Sequence, residues 1–154
     1  MQKLSALATR VTGKRWRAAD LTWTQTSTTI YSPRGDEEGL LHEVLHWIVA
    51  SDEERTWPNL ALDAEEVGDI NAMLPADERL SEWTPETPDE RERQVCYLTA
   101  RIYALRGWPM PRSSCASIDP ATAEDMQWAL ERLNASTTSE QELAAALETG
   151  ESKC

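Results

Sequence analysis

The segment from Asp36 to Ser51 constrains the fold more than any other part of the chain. Asp36 can cap a helix, and Glu37 and Glu38 follow it, where acidic side chains are favourable beside the positive end of the helix dipole. Apolar residues then recur at helical spacing: Leu40, Leu41, Val44, Leu45, Ile48 and Val49. The pattern predicts one helix that begins after Asp36 and runs to about Ser51.

The rest of the chain is expected to be mostly helical, with a small β element before this helix. The stretch from Leu21 to Tyr31 is rich in β-branched and aromatic residues and predicts one long strand or a hairpin. From Thr22 onward it is interpreted as a core strand or, alternatively, as an edge strand that could pair with an extended peptide. Other helices are predicted from apolar spacing and start signals over 2–11, over 63–74, from Thr87 to Gly107, from Asp119 onward, and from Ser139 onward. The fold class is therefore α+β, mostly α, with a single domain over 1–150 and a flexible tail over 151–154.

Composition limits the partners and the compartment. The net charge of -12 argues against a phosphate-backbone binder, so no nucleic-acid partner is expected. No segment approaches a membrane span, and residues 1–20 hold no continuous apolar stretch, so neither a membrane anchor nor a signal peptide is expected. The three cysteines are widely spaced and form no CxxC pair. This spacing indicates neither a cysteine zinc site nor a disulfide framework, and a cytoplasmic location is expected.

The chemistry of the chain is concentrated in the run His42-Glu43-Val44-Leu45-His46. The two histidines are spaced i and i+4 in the predicted helix, so their imidazoles lie on one face and can grip one divalent ion. Glu43 follows the first histidine. In HExxH enzymes the glutamate at this position acts as general base toward a water on the metal. The sequence therefore predicts His42 and His46 as metal ligands and Glu43 as a catalytic residue.

A catalytic metal site usually takes three protein ligands, and the chain has no third histidine. A carboxylate is the expected third ligand, and two candidates stand out. Glu66 lies 20 residues after His46, a spacing that resembles the thermolysin-like zinc peptidases. Glu92 lies near the start of the helix that begins around Thr87, where it borders the face of Val95. The residues by themselves leave both candidates open.

The run from Leu41 to Ala50 resembles the HExxHW segment of the bacterial elongation factor P hydroxylase family, and more broadly the zincin metallopeptidases through HEVLH. Glu90-Arg91-Glu92 followed by Leu98 is similar to a downstream acidic segment of the hydroxylase family, which favours Glu92 as the third ligand. The resemblance implies a single zincin-like domain. The chain departs from the family at Ser51, where the family has Gly, and in the acidic stretch 69–89. The family modifies a lysine derivative on a translation factor, and nothing in this sequence identifies that substrate.

These observations predict a metal-dependent enzyme that carries one divalent transition metal, zinc or iron, and acts on a protein or peptide substrate. The chemistry is either hydrolysis or hydroxylation, because two histidines and one carboxylate suit both. The alternative is a non-enzymatic acidic protein that binds or inhibits a basic partner, with a merely structural histidine pair. The identity of the metal, the substrate and the oligomeric state stay open.

Overall fold

A computed structural model describes residues 1–19, 23–60, 68, 71–79, 87–111, 115 and 117–148. Within these ranges the helices are α1 (Gln2–Thr12), α2 (Glu37–Val49), α3 (Asp89–Leu105), α4 (Ala123–Ala135) and α5 (Glu140–Ala146), with short 3-10 turns at Glu54–Thr56 and Ala76–Glu78. No α-helix in these ranges has both the length and the hydropathy that a membrane-spanning segment requires. Together with one small sheet, the helices confirm the predicted α+β class, mostly α.

The sheet contains β1 (Arg15–Ala18), β2 (Thr24–Thr26), β3 (Thr29–Ser32) and β4 (Asn59–Leu60) in the order β1-β3-β2-β4. Strand β3 runs parallel to β1 and antiparallel to β2, and β2 runs antiparallel to β4. The described part of the predicted β segment is therefore a hairpin of two inner strands. The core-strand interpretation is confirmed for β2 and β3, and the edge-strand interpretation is wrong because β1 and β4 cover their outer sides.

Helix α2 forms the centre of the core. It packs against α1, α3, α4 and β3, and all six of its predicted apolar residues are fully buried. Contacts on several sides explain why apolar residues occupy more than one face of this helix. Its N-cap is Asp36, whose side chain accepts a hydrogen bond from the Gly39 amide at 2.9 Å. The helix ends at Val49, two residues before the predicted end.

Two helix starts differ from the predictions. The N-cap of α3 is Pro88, with no side-chain cap, so the helix begins after the predicted start at Thr87. The predicted start at Asp119 is also wrong, because α4 begins after Thr122. The Thr122 hydroxyl accepts from the Asp125 amide at 3.1 Å, and the Asp125 carboxylate accepts from the Thr122 amide at 3.0 Å. This capping box satisfies two backbone donors at once, which favours the later start.

Cys96 and Cys115 are joined by a disulfide, with Cα atoms 5.8 Å apart. The expectation that no disulfide is present is therefore wrong. The bond escaped the sequence reasoning because the two cysteines are 19 residues apart. Only the return of the chain to the side of α3 brings them together. The bond ties the segment that precedes α4 to the middle of α3.

Several predicted features lie outside the described residues. They include most of the helix expected over 63–74, the alternative third ligand Glu66, and the flexible tail over 151–154. The single domain over 1–150 also stays a prediction, because parts of this range lie outside the described residues.

Candidate metal centre

Helix α2 presents both histidines on one face. The ring centroids of His42 and His46 are 4.7 Å apart, and the ring planes meet at 70°. The two Nε2 atoms lie 3.2 Å from each other. The i and i+4 spacing therefore brings two ligand nitrogens to one point, as the sequence predicts.

Helix α3 supplies a carboxylate at the same point. Glu92 Oε1 lies 2.7 Å from His46 Nε2, and Glu92 Oε2 lies 3.3 Å from His42 Nε2. One ligand atom from each residue can be chosen so that all of them lie within 4.8 Å of one another. Of the two candidate third ligands, Glu92 is therefore brought to the histidine pair, whereas Glu66 lies outside the described residues.

The separations within this group suit a transition metal. In a tetrahedral site with metal–nitrogen bonds of about 2.0–2.1 Å, two nitrogen ligands lie about 3.3 Å apart. The His42–His46 separation of 3.2 Å and the His42–Glu92 separation of 3.3 Å are close to that value. The His46–Glu92 separation of 2.7 Å is that of a hydrogen bond, so this contact would have to open by about 0.6 Å. Such a shift is within reach of a glutamate side chain.

An ion pair next to Glu92 holds α3 in place. Arg91 donates from Nε and Nη2 to the two carboxylate oxygens of Glu54 at 2.9 and 2.8 Å, and both side chains are buried. Glu54 belongs to the turn that follows α2, so the pair locks α3 against α2 beside the site. Burial alone would raise the pKa of Glu54. The hydrogen bonds from Arg91 and Ser51 outweigh burial and hold this pKa below its ordinary value. The Arg91–Glu54 ion pair was not predicted from the sequence, because no local pattern indicates it.

The charges within the ligand group stabilise one another. Burial alone would raise the pKa of Glu92, but the hydrogen bonds and charges of His42 and His46 reverse that effect and hold it well below its ordinary value. For His42 burial acts in the opposite sense, and the carboxylates of Glu92, Glu43 and Glu38 outweigh it and raise the pKa. A metal ion competes with protons for the two histidine nitrogens, so its binding weakens as the pH falls.

Glu43 lies beside the ligand group and is not one of its members. Its carboxylate accepts a hydrogen bond from Gln25 Nε2 at 3.3 Å, and the same amide donates to the Glu43 carbonyl at 2.7 Å. Lys14 Nζ in turn donates to Gln25 Oε1 at 2.7 Å. All three residues are buried. Glu43 was predicted from the sequence. Lys14 and Gln25 were not predicted, because only the packing of the chain around the sheet against α2 brings them to Glu43.

The site is open on the side of Glu92. The exposed fraction of the side chain is 2% for His46, 17% for His42 and 34% for Glu92. A cavity of about 190 Å³ adjoins Glu92, and it is lined by Asp89, Glu92, Arg93, Ser117, Ile118 and Asp119. His42 Nδ1 is buried without a hydrogen-bond partner in the described part of the chain, so Nε2, which faces Glu92, is the nitrogen placed to act as a ligand. A ligand can approach the group from the Glu92 side.

Comparison of the chain with protein-family models, curated proteins and solved structures found no match. The resemblance of the segment Leu41 to Ala50 therefore rests on the residues quoted above. A fold class alone does not define a function, whereas the geometry of this site restricts the chemistry that the protein can perform.

Proposed function

We propose that the protein is a metal-dependent enzyme with a zincin-like domain, in which His42, His46 and Glu92 hold one divalent transition metal. The proposed substrate is a protein or peptide. The observation that carries the proposal is that the ligand atoms of these three residues, from two different helices, lie within 4.8 Å of one another. Both histidines of the chain belong to this group. Two histidines and one carboxylate leave at least one coordination position for water or substrate.

In the hydrolytic form of the proposal, zinc held by His42, His46 and Glu92 would supply Lewis-acid chemistry and would lower the pKa of the attacking water. Glu43 would take a proton from this water and pass it to the leaving amine. The hydroxide portion of the water would go to the carbonyl carbon as the carbon–nitrogen bond breaks. The hydrogen bonds from Gln25 support this role because they restrain the Glu43 side chain.

In the oxidative form the metal is iron, because two histidines and one carboxylate also form the ligand set of non-haem iron oxygenases. The reaction would consume dioxygen. One oxygen atom would enter a carbon–hydrogen bond of the substrate, and the other would leave as water after an external reductant supplies two electrons and the solvent supplies two protons. The same three residues serve both forms, so the metal found in the protein discriminates between them.

The alternative of an acidic binding protein is less well supported. A merely structural histidine pair needs no carboxylate, whereas Glu92 contacts both rings. The net charge of -12 is compatible with a basic partner, but it does not identify a surface that would bind one. The cytoplasmic location also stays a prediction, and the Cys96–Cys115 bond removes the cysteine argument that supported it.

Elemental analysis of protein purified without added metal tests the proposal. We expect about one equivalent of zinc or iron in the wild type and none in the His42→Ala/His46→Ala variant. Glu92→Gln should weaken metal binding by about a hundredfold or more. Glu90→Gln is the matched control, because Glu90 lies exposed on the same helix outside the ligand group. Absence of metal in the wild type, together with no binding of added zinc or iron, would overturn the proposal.

Mass spectrometry of a peptide mixture incubated with the loaded protein then separates the two reactions. Hydrolysis yields two fragments that together contain one added water. Hydroxylation, with dioxygen and a reductant present, yields an intact peptide with one added oxygen atom. Either product should disappear in Glu92→Gln and persist in Glu90→Gln.

A further inference from the structure

Trp23 is exposed and yet fixed in position. The residue is 45% exposed, and it is the one aromatic residue among the exposed large hydrophobic residues of the described chain. The indole Nε1 donates a hydrogen bond to Asp36 Oδ2 at 2.6 Å, and the other oxygen of that carboxylate caps α2 through the Gly39 amide. A Cβ atom at Gly39 would lie 2.5 Å from Cδ1 and Nε1 of the indole. The ring therefore lies directly on the backbone of the first turns of α2, where no side chain separates them.

The indole lies on the same helix face as the candidate metal ligands. At about 100° per residue, Gly39 is about 60° from His42 and about 20° from His46 around the axis of α2. Helical side chains lean toward the helix N-terminus and cover the preceding turn. Helix geometry by itself therefore directs the His42 side chain toward the turn of α2 on which the indole of Trp23 lies.

We propose that Trp23 is a specificity-determining residue that forms the wall of the substrate site at the N-terminal end of α2. It selects substrates that carry an apolar or aromatic group next to the group that binds at His42, His46 and Glu92. This inference rests on the proposed metal-dependent function. It adds a substrate class, namely peptides with an apolar side chain beside the reacting group.

The chemistry of the exposed surface supports an apolar occupant. The only polar atom of the indole is Nε1, and its hydrogen bond goes to Asp36. The surface that remains is aromatic carbon, which gains from contact with apolar and aromatic groups. Because Asp36 and Gly39 already hold the ring, a ligand would not have to order it on binding.

Hydroxamates of different shape test the inference, because a hydroxamate binds metal ions and can carry a chosen substituent. We would titrate the zinc-loaded protein with acetohydroxamate, benzohydroxamate and lysine hydroxamate by calorimetry. In the wild type benzohydroxamate should bind more tightly than acetohydroxamate. In Trp23→Ala this preference should fall about fivefold to tenfold, with the affinity for acetohydroxamate nearly unchanged.

Two further variants make the test independent of the folding of Trp23→Ala. Gly39→Ala keeps the tryptophan but pushes the indole from its place, so it should also reduce the preference for benzohydroxamate. Trp108→Ala is the matched control. Trp108 packs on Tyr103 near the far end of α3, and its loss should leave the preference unchanged.

The possible outcomes separate the inference from the proposed function. If zinc binds but the preference for benzohydroxamate is the same in wild type, Trp23→Ala and Gly39→Ala, the inference about Trp23 is overturned. A Trp23-dependent preference for lysine hydroxamate over benzohydroxamate also overturns it, because the wall would then select a cation. If neither zinc nor iron binds to the wild type, the proposed function itself fails.

Discussion

Replacing Lys14 by methionine should change how the stability of the protein depends on pH. The Lys14 ammonium group is buried, with 3% of the residue exposed, and its pKa is lowered from 10.5 to about 8. Burial is the main cause, and the nearby positive charge of Arg55 adds to it, while the carboxylate of Glu43 acts in the opposite sense. The Gln25 amide and the Trp47 ring, whose centroid is 4.4 Å from Nζ, compensate for only part of the lost hydration.

The sign and size of the effect follow from proton linkage. Between pH 8 and pH 10.5 the unfolded chain binds more protons at Lys14 than the folded protein, so stability rises with pH in this range. From roughly pH 7 to pH 10 the contribution of Lys14 to the free energy of unfolding should rise by about 2–3 kcal/mol. Lys14→Met removes this contribution. The variant also leaves Gln25 Oε1 without its donor. The resulting loss of stability does not depend on pH, so it does not change how the free energy of unfolding varies with pH.

Urea unfolding followed by tryptophan fluorescence at several pH values measures the difference in free energy of unfolding between wild type and Lys14→Met. We expect this difference to shift by about 2–3 kcal/mol in favour of the wild type from roughly pH 7 to pH 10. Lys3→Met controls for the change in net charge, because Lys3 is exposed. A difference that stays constant over this range would refute the argument that Lys14 is a desolvated cation.

Two other predictions concern the contacts that hold α3 beside the site. Arg91→Leu leaves the buried Glu54 carboxylate without its partner and should lower the free energy of unfolding by about 3–5 kcal/mol in urea titrations, and a loss below 1 kcal/mol would contradict the buried ion pair. Breaking the Cys96–Cys115 bond, by dithiothreitol or by double substitution with alanine, should cost about 3 kcal/mol, since it closes a loop of 19 residues. Thermal unfolding with and without reductant measures this loss, and identical transitions would show that the bond contributes nothing.

The fold class and the main helices could be predicted because the signals for them are local. The Asp36 cap, the apolar spacing and the short alternating β segment each depend on neighbours within about one turn or strand. Errors arose where two local signals competed. Near α4 both Asp119 and Thr122 could cap the helix, and the reciprocal bonds between Thr122 and Asp125 favour the later start.

The site could be predicted only in part, because local patterns indicate contacts within one helix and not contacts between two helices. His42 and His46 share a helix, so their spacing alone brings the rings together. Glu92 was one of two candidates, because sequence distance does not specify which helix packs against α2. No sequence pattern predicted the position of Trp23. That position depends on Gly39 and on the carboxylate of Asp36, which lie at the start of α2.

Helix periodicity and capping are sufficient to specify the start of α2, its apolar character and the two imidazoles on one of its faces. Three other contacts depend on how the elements pack: Glu92 reaches both rings, Arg91 binds Glu54, and Cys96 is bonded to Cys115. Each of these contacts joins residues 19 or more positions apart. Such contacts form only after α2, α3 and the segments around them have packed into one core, and short-range patterns do not encode that packing.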